Sequence, residues 1–228
     1  RRLYRRPLYV MTLVRFENVT CTLVSGAVVV DATFEVEKGE FVCIIGPTGA
    51  GKTTLLKLVY MDILPEKGRV VVDGFDSSRV KRRHIPLLRR KVGMVFQEFE
   101  LLQDRNVFEN VSLPLRVLGL NKREIRDRVN GVLDELGIAA RKDHLPSQLS
   151  GGEQQIVSLA RAIVKRPVVV LADEPTGNLD PVASHKIVAL LEQINREGTA
   201  VLMASHDYNL MKDRGHRFIR ISRGRVRG

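Results

Sequence analysis

Three short stretches carry residue types whose spacing suits phosphate chemistry. Gly46-Pro47-Thr48-Gly49-Ala50-Gly51-Lys52-Thr53 fits G-x-x-x-x-G-K-[ST], with Thr54 beside it. Glycines at this spacing let successive backbone N–H groups turn inward around phosphate oxygens, and a helix starting at Lys52 adds partial positive charge. Lys52 then meets the outer phosphates, and the Thr53 hydroxyl is a ligand for Mg²⁺. Residues 168–175 (VVVLADEP) place Asp173 and Glu174 at the end of an apolar run. Ligands of open α/β sheets collect at such strand ends, which puts Asp173 in the Mg²⁺ shell and Glu174 against an attacking water. Nothing basic adjoins the two acids in sequence, and burying them uncompensated would be costly. The third stretch, LSGGE at 149–153, reads two ways. Ser150 and Glu153 form an S-x-x-E capping box for the helix that follows. Gly151 and Gly152 are poor first residues for a helix unless a ligand must approach the backbone closely, and a helix N-terminus with a serine hydroxyl suits a phosphate.

Elements of a definite kind must hold these stretches. Residues 40–46 (EFVCIIG) form an apolar run ending in glycine, followed by a turn and a helical stretch over about 52–60: strand, loop, helix. Two more buried-type strands fall at 168–172 and 199–205. Between them Ala183, Ile187, Leu190, Leu191 and Ile194 recur at helical spacing. Apolar strands alternating with helices predict a parallel sheet covered on both faces. Residues 16–37 and 69–73 alternate as half-exposed antiparallel strands do, which predicts a small β subdomain. From 106 to 166 the pattern is helical, with a stripe of Ile125, Val129, Val132, Leu133 and Leu136 opened by Asn121 and Glu124 and closed by Gly137. The expectation is a single domain over 12–228 with a helical insertion at about 98–166. Residues 1–11 are expected to be an unstructured extension with no part in the fold.

Composition narrows the class. The chain has 228 residues, 44% apolar and 28% charged, which suits a soluble globular domain. Cys21 and Cys43 lie far apart and form no CxxC, so a reduced compartment is expected and zinc is not. No apolar run reaches the roughly 18 residues that would cross a bilayer, and no secretion signal is read. The net charge is +11. Basic residues gather at Arg79, Lys81, Arg82, Arg83, Arg89, Arg90 and Lys91, and again at Arg217, Arg220, Arg223, Arg225 and Arg227. Such patches attract anions; they are assigned to an anionic membrane surface and a partner, with no specific nucleic acid expected.

In this order the pieces resemble the nucleotide-binding subunit of ATP-binding cassette (ABC) proteins over almost all of residues 12–228. Besides the phosphate loop, LSGGE and VVVLADE, there is a Q-loop at Val95-Phe96-Gln97, a D-loop at Gly177-Asn178-Leu179-Asp180 and a switch histidine at Ser205-His206-Asp207. The resemblance implies a P-loop NTPase (RecA-like) α/β core with an antiparallel β subdomain and an α-helical insertion. It implies Mg²⁺-dependent hydrolysis of ATP to ADP and phosphate by a head-to-tail homodimer. Each ATP would lie between the phosphate loop of one subunit and residues Ser150, Gly151, Gly152 and Glu153 of the other. Glu174 would polarise water, His206 hold the γ-phosphate, Gln97 sense Mg²⁺ and link to a partner, and Asp180 cross the interface. The implied partner is a separate integral membrane subunit, docked around residues 97–115, which keeps the ATPase peripheral on the cytoplasmic face. Phe99, Leu101, Leu102, Phe108 and Val111 could serve that docking, although at least half of them are expected to be core. Pro175-Thr176-Gly177-Asn178-Leu179-Asp180 resembles the branch of cell-division, lipoprotein-releasing and MacB-type export ATPases. Asp104-Arg105 ahead of Asn106-Val107-Phe108 looks most like the cell-division type; a lipoprotein or small-molecule exporter is the alternative. One departure stands at Leu23, where the family usually stacks adenine on an aromatic ring. It implies weaker base discrimination, with GTP use open.

Overall fold

Alternation at the start of the chain produces two long strands, β1 (Thr12–Thr22) and β2 (Val28–Glu37), paired antiparallel with Phe16 stacked on Phe34 at 4.3 Å between ring centroids. The computed structural model describes residues 11–22 and 28–227; Leu23 and residues 1–10 lie outside them. Met11 is already tied in, its carbonyl accepting from Lys38 N at 3.0 Å, so the expected extension does not include it. The chain continues through β3 (Phe41–Ile45), α1 (Lys52–Val59), β4 (Lys67–Val72), β5 (Phe75–Asp76), α2 (Ile85–Lys91), β6 (Val92–Val95), α3 (Val107–Val117), α4 (Lys122–Glu135), α5 (Gly151–Ile163), β7 (Val169–Asp173), α6 (Pro181–Arg196), β8 (Ala200–Ser205), α7 (Tyr208–Met211), β9 (Arg217–Ser222) and β10 (Arg225–Arg227).

The strands lie in the order β5-β4-β1-β2-β10-β9-β3-β8-β7-β6. From β9 to β6 neighbours are parallel, as the apolar runs predict; β1, β2, β4 and β5 pair antiparallel. The antiparallel strands are therefore one flank of a single ten-strand order, joined to the parallel part where Val30 on β2 meets Arg225 on β10. Successive residues of the central strands feed opposite faces. Phe41, Cys43, Val170, Ala172, Val201 and Met203 join the core under α3 to α6, whereas Val42, Ile44, Val169, Leu171, Ala200 and Leu202 join the core with α1 and β1. Both cysteines are free and buried within these two cores.

Helix starts are set where the sequence places them. Asn106, Asn121 and Ser150 each accept a hydrogen bond from the backbone N–H three residues on, and Glu109, Glu124 and Glu153 reach back, completing three capping boxes. Gly137 takes φ 67° just past α4, where a β-carbon would be strained. Gly93 on β6 marks a close approach of α5 to the sheet, since a Cβ there would sit 2.9 Å from Ala162 O. Leu101 and Val111 are buried, Phe99 and Phe108 pack on the same core, and Leu102 is 42% exposed. Four of these five apolar residues thus belong to the core. Among the described residues no helix is long and apolar enough to cross a membrane.

Candidate functional site

The phosphate loop leaves the end of β3 and runs into α1. Gly46 must be glycine for packing: a Cβ would lie 2.2 Å from Ile221 O on β9. Gly51 takes φ 106° at the N-cap of α1, a conformation that L side chains rarely adopt. That cap makes no side-chain hydrogen bond and the first turn holds no acid, so its N–H groups are free for an anion. Lys52 is buried, and its Nζ donates to Gly46 O at 2.7 Å and Pro47 O at 3.2 Å.

The two carboxylates of β7 converge on this loop. Thr53 Oγ1 donates to Asp173 Oδ1 at 3.1 Å, and Lys52 Nζ lies 3.0 Å from Glu174 Oε1. The cation absent beside the acids in sequence is therefore Lys52, brought in by the fold. Burial raises the Asp173 pKa above the usual carboxylate value, only partly opposed by the Thr53 hydrogen bond. Glu174 has φ 46°, a strained setting for a side chain without a special need for it. Its Oε2 accepts from His206 N at 3.2 Å and lies 2.8 Å from His206 Nδ1. Thr48, Gly49, Gly51, Lys52, Thr53, Thr54, Gln97, Glu174 and His206 line one cavity of about 390 Å³. Gln97 reaches it from the loop after β6. Its carbonyl accepts from Asn178 Nδ2 at 3.4 Å, and its amide abuts Gly177, so the Q-loop and D-loop touch.

The LSGGE stretch lies apart: none of Ser150, Gly151, Gly152 and Glu153 lines that cavity. Ser150 and Glu153 form the capping box. Glu153 Oε2 accepts from Ser150 N at 2.8 Å and from Ser150 Oγ at 3.0 Å, and Arg141 Nε reaches Oε1 at 2.8 Å. These bonds, that of the Ser150 backbone first, lower the Glu153 pKa to about 2. Gly152 also has a packing reason. A Cβ at Gly152 would press on Ala183 Cβ of α6 at 3.2 Å, and Gly151 faces Leu179 and Phe99. Approach of a ligand is thus not needed to explain Gly152, whereas a Cβ at Gly151 would meet only ordinary contacts. Asp180 is the N-cap of α6, accepting from Ala183 N at 2.9 Å.

Sequence reasoning missed three polar residues that hold the loops, Asn110 and Gln155 buried and Arg161 half-buried. Asn110 accepts from Leu102 N and donates to Leu102 O, Arg105 O and Asn106 O, fixing the turn before α3. Gln155 and Arg161 of α5 bond to main-chain carbonyls of the Q-loop side. Their partners are carbonyls distant in sequence, so no motif announces them. The basic runs are partly absorbed locally: Arg89 pairs with Asp62, Lys91 with Asp73 and Arg217 with Glu40.

The ABC transporter family matches residues 29–177. The cell division ATP-binding protein FtsE of Escherichia coli K12 is 45% identical over 217 residues, covering 95% of this chain and 98% of that protein. FtsE of Mycobacterium tuberculosis H37Rv is 46% identical over 196 residues, covering 86% of this chain and 85% of the relative. Among solved structures, the dimeric ATP-binding cassette MJ0796, in a post-hydrolysis state bound to ADP and Pi, superposes with a TM-score of 0.84 at 34% identity. It covers 95% of this chain and 97% of that one. With the phosphate loop, Glu174 and the switch histidine lining one cavity, Asp173 bonded to Thr53 beside it, and with these likenesses over nearly its whole length, the chain belongs to the ABC ATPase family, in the neighbourhood of FtsE.

Proposed function

We propose that this ABC ATPase works as a head-to-tail homodimer on ATP and Mg²⁺, and drives a separate membrane subunit as FtsX would serve FtsE. The observation that carries the reading is the contact series Lys52–Glu174–His206 at the mouth of the phosphate cavity. Glu174 is held between the lysine and the histidine. Phosphates arriving at the loop compete for Lys52, leaving one Glu174 oxygen free to accept a proton from water while His206 turns to the γ-phosphate. Thr53, Asp173 and Gln97 present hydroxyl, carboxylate and amide oxygens, the hard donor set that Mg²⁺ takes, and Asp173, kept high in pKa by burial, gains most from a neighbouring cation. When bound, the ion offsets phosphate charge.

Ser150 to Gly152 lie off the cavity of their own chain, which supports a second protomer supplying this helix N-terminus to the ATP, with Asp180 near the same junction. The MJ0796 cassette is itself dimeric. The cytoplasmic membrane face is the proposed location, reached through the membrane subunit, with the exposed arginines of 79–90 and of the β9–β10 hairpin on the anionic surface. Leu23 makes base discrimination weak; Leu23→Tyr is expected to tighten ATP binding roughly tenfold, as an added stacking platform does.

The test is to trap Glu174→Gln with ATP in native membranes and identify what co-purifies. A polytopic membrane subunit held only in the ATP-trapped form is the expected result. Capture of nothing beyond a soluble dimer removes the membrane-coupling part of the proposal, and a parent protein without ATP hydrolysis removes the rest.

A further inference from the structure

Helix α5 carries more than its capped N-terminus. Gln155, one turn in, is fully buried, and its Nε2 donates to Pro175 O at 2.9 Å and lies 3.4 Å from Phe96 O. Pro175 follows Glu174 and Phe96 precedes Gln97, so one amide spans the main chain on which both site residues sit. Two turns further, Arg161 Nη2 donates to Phe99 O at 2.8 Å and Nη1 donates to Glu100 O. Phe99 and Glu100 both have positive φ, 58° and 51°. Non-glycine residues hold that backbone only where their surroundings impose it. The guanidinium, bonded to both carbonyls, supplies the constraint.

Gln155 and Arg161 thus grip the Q-loop on both sides of Gln97. One observation marks this face of α5 as more than packing. Gln155 Oε1 and Ser158 Oγ, three residues apart and so neighbours on the helix, are buried without a hydrogen-bond partner. An apolar helix face would avoid that cost. Between β6 and α5 the fit is close, with Gly93 required beneath Ala162, so α5 has little freedom to move without moving its neighbours.

We infer that Gln155 and Arg161 are positioning residues: they set Gln97 and Glu174 at one ATP site and tie that setting, through the rigid α5, to Ser150 at its N-terminus. The inference rests on the proposed dimeric ATPase, since Ser150 meets nucleotide only across a dimer.

The test compares Gln155→Met, which keeps volume and removes the donors, with Arg161→Met and Arg161→Lys, all in the full chain. For Gln155→Met, kcat is expected to fall at least tenfold with KM for ATP within twofold, and the Mg²⁺ concentration for half-maximal rate to rise. Amide exchange should speed up over residues 97–103 while α1 keeps its protection. Arg161→Lys, which retains a donor, should recover much of what Arg161→Met loses. The inference is overturned if kcat and the Mg²⁺ requirement stay within twofold of the parent, or if kcat, ATP affinity and protection everywhere fall together. Should Gln155→Met not fold, the two Arg161 variants decide by the same readouts. If the parent hydrolyses no ATP, the functional reading fails, while the exchange pattern still tells whether these side chains hold the Q-loop.

Discussion

The two ends of the nucleotide machinery are built on opposite principles. At the phosphate loop, groups are held in conditions that folding alone would avoid: a buried lysine, an aspartate with raised pKa and a glutamate at φ 46°. At the N-terminus of α5 the side chains are locally satisfied, with Ser150 and Glu153 capping one another, Arg141 bracing the glutamate and Gly152 fitted to α6. Conditions of this kind support the site proposed at the phosphate loop. Within one chain the α5 end is no more than a well-made helix start, because in the proposed dimer its chemical partner belongs to another molecule.

The sharpest way to test this contrast is at the strained end. Glu174→Gln should lower kcat by about 10²–10⁴-fold, the range for losing a general base, with ATP affinity kept and an ATP-bound dimer accumulating on gel filtration. Steady-state turnover within a few-fold of the parent would remove Glu174 from that role. Lys52→Ala should weaken ATP binding by about a hundredfold, since charge-assisted hydrogen bonds contribute about 1.5–3 kcal/mol each; titration calorimetry reads it, and unchanged affinity would contradict the assignment. At the satisfied end, Ser150→Asn preserves an equally good cap. It should leave the melting temperature unchanged yet reduce hydrolysis about tenfold. If hydrolysis also stays unchanged, this end is a helix cap and nothing more. Ser150→Ala, by contrast, should cost about 0.5–2 kcal/mol of stability from the cap alone.

The smallest effect separates the two ends by pH. The Glu153 pKa is held at about 2, against an unfolded value near 4.5. Its contribution to stability is therefore complete above about pH 4.5 and is lost as pH falls toward 2. Asp173 is raised instead, so its contribution has the opposite sign and fades as pH rises through its folded pKa. Glu153→Gln should flatten the acid limb of the stability curve, whereas Asp173→Asn should raise the melting temperature of the nucleotide-free chain at neutral pH. Denaturation across pH 2–7 checks both signs.

Much of this organisation is legible in the residues. The spacing of Ile187, Leu191 and Ile194 gives the buried face of α6, and the boxes at Asn121–Glu124 and Ser150–Glu153 give two helix starts, while a third, Asn106–Glu109, emerges with the structure. Strand β6 is harder: four residues with a glycine offer too little periodicity, and its place at the sheet edge comes from pairing with β7. The C-terminal hairpin is disguised by charge. Arg217 and Arg220 draw attention as a basic patch, yet Ile219 and Ile221 between and beside them are buried, the two-residue alternation of a strand. Gln155 and Arg161 are illegible for another reason, since a bond to a carbonyl depends only on where the backbone passes.

Strand β3, which ends at the phosphate loop, sits between strands from much later in the chain: Phe41 pairs with Val201 and Val42 with Arg217. The floor under Gly46 is Ile221, and Gly224 N reaches Ala50 O. At a synthesis rate of about 5–20 residues per second, on the order of ten seconds or more separate the emergence of the loop from that of its supports. A nascent chain therefore shows the ribosome's surroundings an apolar strand and a lysine loop not yet backed by their neighbours in the sheet. The loop gains its floor only once translation has passed the hairpin, so the proposed nucleotide site is among the last parts of the sheet to be backed by its neighbours.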